Sequence, residues 1–307
     1  MSTATSTARS TNVPPVSDHS RAETPNSQSD QPTRSSSDLT PAVDRSSCRQ
    51  TFGRAVHAEW IKVCSLRSTW IISLIAVAIT VLLGAGAAIG FAGSPELAQE
   101  AKDMIGTGSA FGQIVVAVLG ALIITGEYTS GQIRSSLAAV PLRGRVLVAK
   151  AFVASVFAFC VGAVSVLLAW AVSAPFMHGH AGSLTDMHYL GYVWGTGLSF
   201  VIITLMALGL GFLMRSTAGS ITVVVSLMFV LSVPLSLVAL KWEWAARLID
   251  LLPLQVATAV SDPFCLSNSW SAASDAFLTH TQAVLVFVAW AIVPLALGWL
   301  LFTRRDA

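Results

Sequence analysis

Six stretches of about twenty residues, nearly free of ionisable side chains, constrain this 307-residue chain more than any other feature. They are Trp70–Phe91, Ile105–Thr125, Ala151–Val172, Gly191–Leu213, Ile221–Leu240 and Gln282–Phe302. Each is long enough to cross a hydrocarbon core as a helix, which takes roughly 20 apolar residues. Helices satisfy their own backbone in lipid, so the expected fold is an all-α polytopic membrane protein with six transmembrane helices. Only 11% of residues are charged, against about a quarter in soluble domains. The second stretch is the weakest, because its continuous apolar core is only Ile114–Ile124 and the part before it is rich in Gly and Ser.

The flanking charges set an expected orientation. With the N-terminus inside, fifteen of the eighteen Lys and Arg residues fall in inner segments and three, Lys102, Lys241 and Arg247, in outer ones. By the positive-inside rule both termini are cytoplasmic, and a multi-pass protein of a bacterial plasma membrane is the expectation. Trp60 and Trp70 before the first span, and Trp170, Trp194, Trp242 and Trp244 near outer ends, fit headgroup level, while mid-span Trp290 reads as a packing residue. The pairs Gly86 and Gly90, Gly108 and Gly112, and Gly191 and Gly195 have the spacing of close helix packing. Pro234 is expected to kink the fifth span.

Three regions are expected along the chain. Residues 1–50, rich in Ser, Thr, Pro, Asp and Arg, read as a disordered cytoplasmic tail. Residues 51–69 read as an amphipathic interfacial helix, because Phe52, Val56, Trp60, Val63 and Leu66 share one face in line with Trp70. Residues 70–307 form the six-span domain. Glu59 falls within the apolar arc of the interfacial helix and either snorkels to headgroups or meets a protein partner. Lys150, at the inner edge of the third span, is expected to snorkel.

Between spans two and three lies Gly126–Arg145, GEYTSGQIRSSLAAVPLRGR. Thr129 or Ser130 can cap a short helix there, Ile133, Leu137 and Val140 form its apolar stripe, and Pro141 ends it. Two such turns are marginal alone in water and suit a groove on a partner. A basic loop that merely obeys the positive-inside rule is the simpler alternative.

Several functions are disfavoured. No Asp, Glu, Lys or Arg falls within the apolar core of a span, which speaks against a gradient-driven carrier. The chain has no G-x-x-x-x-G-K-[ST] loop to bind ATP. Cys48, Cys64, Cys160 and Cys265 are too scattered for a zinc site or disulfide framework. His178, His180 and His188 lie between spans three and four, and the His-x-His pair has metal-ligand spacing, but no Cys and only Asp186 stands nearby; the outer acids Asp250, Asp262 and Asp275 show no paired spacing for acid–base work. Neither a catalytic constellation nor a metal site is expected.

With both patterned segments in hand, a resemblance appears. EWIKVCSLRSTW before the first span, paired with GEYTSGQIRSSLAAVPLRGRVLVAK between spans two and three, resembles permease subunits of bacterial ATP-binding-cassette exporters of the type-two class. The G-E-Y-x-x-G-x-I-R stretch carries most of it. The resemblance implies a connecting helix containing Glu59, Trp60, Lys62 and Arg67. It also implies a coupling helix docking on an ATPase, drawn from Gly126, Glu127, Tyr128, Gly131, Ile133, Arg134, Leu137, Val140 and Pro141. It further implies ATP and magnesium on a separate ATPase subunit, none in this chain, a second permease copy, and short outer helices between spans five and six. Trp242–Val260 is apolar enough to dip back into the outer leaflet. The resemblance implies no nucleic-acid partner and no enzymatic chemistry in this chain. A non-transporting membrane protein, such as an immunity factor or an anchor, is the alternative.

Overall fold

The computed structural model describes residues 51–92, 101, 103–133, 143–177, 183–261 and 278–305. Expectations about residues 1–50, Lys102, Arg134, Leu137, Val140, Pro141, His178, His180, Asp262, Asp275 and Cys265 lie outside these. Among the described residues the chain is helical throughout, without strands, and six helices are long and apolar enough to cross a membrane.

The order is α1 Phe52–Ser65, α2 Arg67–Ala92, α3 Ser109–Ser130, α4 Arg143–Ser173 and α5 Met187–Met214. There follow α6 Thr217–Ala239, α7 Glu243–Asp250, α8 Pro253–Ser261 and α9 His280–Arg305. Helices α2 to α6 and α9 are the spanning elements, α3 being led in by the 3₁₀ turn Met104–Gly106. That turn falls in the Gly- and Ser-rich half of the second stretch, where helix propensity is poorest.

Helix α5 is the hub, packing against α3, α4, α8 and α9. Close approach depends on glycine at a few points. A Cβ on Gly108 would strike the Thr80 carbonyl of α2, and one on Gly120 the Thr204 carbonyl of α5. Small residues thus set the helix spacing, since lipid supplies no hydrophobic drive to bring helices together. Gly86 and Gly90 do not join in: a Cβ on either meets nothing within 4 Å. Their expected packing role is not made within this chain.

Helix α6 is irregular where Pro234 predicts it. The proline cannot donate to the Val230 carbonyl, and the disturbance is taken up one turn earlier, in a π-helical turn over Ser226–Val230. There the Leu231 N–H reaches back to the Ser226 carbonyl at 2.8 Å.

Helices α7 and α8 form a hairpin that enters the bundle. The Trp290 indole, ten residues into α9, donates to the Leu251 carbonyl at 2.9 Å, whereas His280 Nε2, at the start of α9, lies 2.7 Å from the Ala259 carbonyl. At 1.5 Å per residue, the α7–α8 turn therefore sits about 15 Å below the start of α9. Trp290 is thus a hydrogen-bond donor as well as a packing residue. Asp250, at the hairpin tip, is fully buried.

Candidate functional site: a buried ring of four charges

Helix α1 has no side-chain cap at its N-terminus and packs against α4. The face it buries is Ala55, Glu59 and Val63, each one turn apart, whereas Phe52, Trp60 and Leu66 of the expected apolar face are exposed. A carboxylate there must be neutralised or paired, because an isolated buried charge costs many kcal/mol. Two cations answer it, Lys62 on α1 and Lys150 in the second turn of α4, and Glu127 in the last turn of α3 pairs with both.

The four charges close an alternating ring. Lys62 Nζ lies 2.7 Å from Glu59 Oε1 and 3.0 Å from Glu127 Oε1. Lys150 Nζ lies 2.5 Å from Glu59 Oε2 and 2.8 Å from Glu127 Oε1. Two carboxylates and two ammonium groups make the ring formally neutral. Lys150 and both carboxylates are buried, with side chains 2% and 6% exposed, and only Lys62 reaches the surface, at 33%. Burial by itself would raise the Glu59 carboxyl pKa, but Lys150 and Lys62 outweigh it and hold the carboxyl below its usual range. Burial likewise works against the charged Lys62, yet its bonds to Glu59 and Glu127 raise it above the ordinary lysine value.

Two expectations are corrected here. Glu59 neither snorkels nor needs an external partner, because Lys150, 91 positions along the chain, supplies the counter-charge. Lys150 does not snorkel either; it is drawn inward by two carboxylates. Glu127 keeps one unanswered atom, since its Oε2 is buried and has no hydrogen-bond partner.

The residues expected in the coupling segment are divided. Gly126, Glu127 and Tyr128 belong to the spanning helix α3, which ends at Gly131 in a left-handed cap with φ 72°. Thr129 and Ser130 lie in the last turn of α3, where their hydroxyls donate to the Gly126 carbonyl at 3.1 and 2.7 Å; most of the helix they were expected to cap lies outside the described residues. A residue at an α3 C-terminus faces carbonyls rather than free N–H groups, which is why these side chains donate inward. Ile133 packs in a cluster with Ile124, Leu147 and Phe212. The Arg215 guanidinium, at a positive-φ residue closing α5, stacks 5.4 Å from the Tyr128 ring. Of the expected connecting-helix residues, Glu59 and Lys62 enter the ring, while Trp60 and Arg67 are exposed.

A second buried polar contact was not foreseen as such. Gln113 of α3 donates to Ser199 of α5 at 2.7 Å, both buried in the interior of the bundle. Nothing in the linear spacing, 86 residues, pairs them.

Six spanning helices, an interfacial helix pinned beneath them and an intruding hairpin define a polytopic membrane permease. Residues 54–307 match the family profile described as ABC-2 family transporter protein, and the chain belongs to that family. Among curated proteins, none matches this sequence.

Proposed function

We propose that this permease is the membrane subunit of an ATP-driven exporter, and that the charge ring transmits motion from a docked ATPase into the bundle. The observation that carries this reading is where the ring sits. Glu127 and Lys150 flank residues 131–142 on either side, and their 2.8 Å contact closes that segment at its base. Glu59 then joins the closed base to α1. A push on the segment would be felt by α3, α4 and α1 together, because the ring is buried and its pairs are costly to separate.

In this reading Leu137 and Val140, beyond Ile133 which packs on the chain's own cluster, dock on a separate P-loop ATPase, which holds ATP and magnesium, and two permease copies form the path. The chain itself does no chemistry. It lies in a bacterial plasma membrane with both termini cytoplasmic, as its basic flanks favour. An apolar bundle with few charges in its spans favours an apolar or amphipathic cargo.

Leu137→Asp tests the docking step. The variant is expected to insert normally yet lose an order of magnitude or more in ATPase co-purification, since a buried leucine is worth roughly 1.5–3 kcal/mol. Full retention of the ATPase would remove the docking helix. The ring has its own test, Glu59→Gln, which is expected to keep the ATPase bound while uncoupling ATP hydrolysis from export.

A further inference from the structure

The two halves of α6 are packed differently. The first buries Ser220, Val224 and Met228, a stripe four residues apart, and lies against α3 and α5. Its Thr217 hydroxyl donates to Thr125 of α3 at 2.7 Å. The second half, Ser232–Ala239, buries no residue and packs against α7 and the π-helical turn. Val233 and Leu237 on it, and Leu240 just past it, are exposed. Moving the second half therefore breaks no core packing, whereas moving the first would.

That second half and α7 form a closed unit. Each leg has 8 residues, about 12 Å at 1.5 Å per residue. The turn joining them is tied by the Lys241 and Trp242 N–H groups, which both donate to the Val238 carbonyl at 3.0 Å. The Trp242 and Trp244 rings stack beside it, 6.5 Å apart. Legs of equal length folded back on each other bring their feet to one level: the π turn Ser226–Val230 under one, the turn at Leu251 and Leu252 under the other. Helix α8, which follows the second foot at once, packs against the π turn, so the feet are neighbours. The first foot is built to bend. Pro234 gives the Val230 carbonyl no donor, the π turn breaks the regular ladder, and the Ser232 hydroxyl donates to the Phe229 carbonyl at 2.7 Å. The second foot is held by the Trp290 indole on the Leu251 carbonyl and by the burial of Asp250.

We propose that residues 231–250 are a flap that swings about the line through these two feet, while the first half of α6 and α8 stay fixed. The Trp290 bond and Asp250 lie on that line, where rotation displaces them least. Displacement grows from the feet to a maximum at Leu240–Trp242. At a radius of about 12 Å, a swing of about 30° carries the tip about 6 Å. A few residues at element ends absorb the backbone change, as in hinge motions generally. The inference goes beyond the export reading and stands whether or not an ATPase docks.

Double electron–electron resonance tests it, on the full chain in phospholipid bilayers, with the native cysteines replaced and spin-labelled protein diluted in unlabelled. One nitroxide is placed at the tip, at Leu240, which is 86% exposed, and the other at Leu82 on α2. A second pair joins Leu240 to Leu285 on α9, so that a swing across one vector is seen along the other. In the controls Val230, in the π turn, replaces Leu240. In at least one tip pair the distance distribution is expected to be broader than its control by about 6 Å. Pro234→Ala, which supplies the Val230 carbonyl with a donor and suits an exposed helical position, should bring the tip close to the control width. Tip and control distributions that are equally narrow would overturn the proposal, because the flap is then fixed to the bundle. Equally broad ones would overturn it too, since all of α6 then moves. So would a broad tip left unchanged by Pro234→Ala, which places the bending elsewhere.

Discussion

The two ends of the bundle bury polar groups by opposite means. At the α1 end, four ionised side chains from three helices neutralise one another, and only one of them meets the surface. At the α7 end Asp250 is buried at the hairpin tip, and two backbone carbonyls of the hairpin are bonded from α9: Leu251 at the turn by the Trp290 indole, and Ala259 near the end of α8 by the His280 imidazole. The ring is strong per contact and intolerant of losing a member. The two bonds from α9 to the hairpin carbonyls are neutral and can be made and broken at smaller cost. Under the proposed function the ring is the stiff link where force enters and the hairpin the more compliant element, the two separated by the length of the spans.

Deleting one ring member should give the largest effect. Lys150→Met leaves two buried carboxylates facing one lysine, a defect worth about 3–5 kcal/mol by analogy with broken buried ion pairs. Thermal unfolding in detergent should show a marked loss of stability. Lys150→Met combined with Glu127→Met restores neutrality between Glu59 and Lys62 and should recover part of it. If the double variant is no more stable than the single one, electrostatic balance is not what holds α1 to the bundle.

Acid should act in the same direction but more weakly, because a protonated carboxyl can still donate a hydrogen bond. The Glu59 carboxyl lies below its reference value of 4.5, so its contribution is complete above that pH and is lost as pH falls through the lower folded value. Lys62 lies above its reference value of 10.5, so its contribution is complete below that pH and fades as pH rises through the folded value. Protection of α1 amides from hydrogen exchange, corrected for intrinsic rates, should therefore be level between these limits and fall outside them. A decline centred near neutral pH would assign α1 docking to some other group.

At the α7 end a smaller response is expected. Trp290→Phe keeps most of the ring volume but leaves the Leu251 carbonyl without its donor, at a cost of about 1–3 kcal/mol. The loss should be local: faster amide exchange over Pro253–Ser261 with little change in α1. Equal loosening of both ends would mean that the bundle opens as one unit and that the contrast between stiff and compliant ends is wrong.

Much of the fold is legible in the sequence because it depends on local composition. Six apolar runs, each long enough for the bilayer, locate the six spans, though the third helix begins seven residues before its expected start and the second runs five beyond its expected end, and Pro234 marks the irregular helix. The site is only half legible. Glu59 stands out as a carboxylate on an apolar face, but its answering charge is 91 positions away, and no periodicity connects separate helices. Lys150 at the edge of an apolar run has the same one-letter context whether it snorkels or turns inward; the carboxylates on neighbouring helices decide. The place of Thr129 and Ser130 stays open in the sequence for a related reason. A hydroxyl residue beside glycine suits an N-cap and a helix end equally, and the choice falls to Gly131, whose left-handed φ terminates α3.

The smallest predicted effect concerns the glycines that pack nothing. Gly108 and Gly86 look alike in sequence, each in an apolar run with a second glycine four residues on. A Cβ at Gly108 would collide with the backbone of α2 at Thr80, so Gly108→Ala must force α2 and α3 apart and should cost several kcal/mol. A Cβ at Gly86 meets open space in the half of α2 nearer the α7 end. Alanine is favoured over glycine in a helix by about 1 kcal/mol, part of which is realised in a span already held by its neighbours. Gly86→Ala should thus leave the unfolding midpoint of the detergent-solubilised monomer unchanged or slightly raised. A clear destabilisation of the monomer would show that Gly86 has a packing partner within the chain after all. If the monomer is unaffected while self-association in bilayers weakens, the open face of α2 is where a second copy of the permease rests.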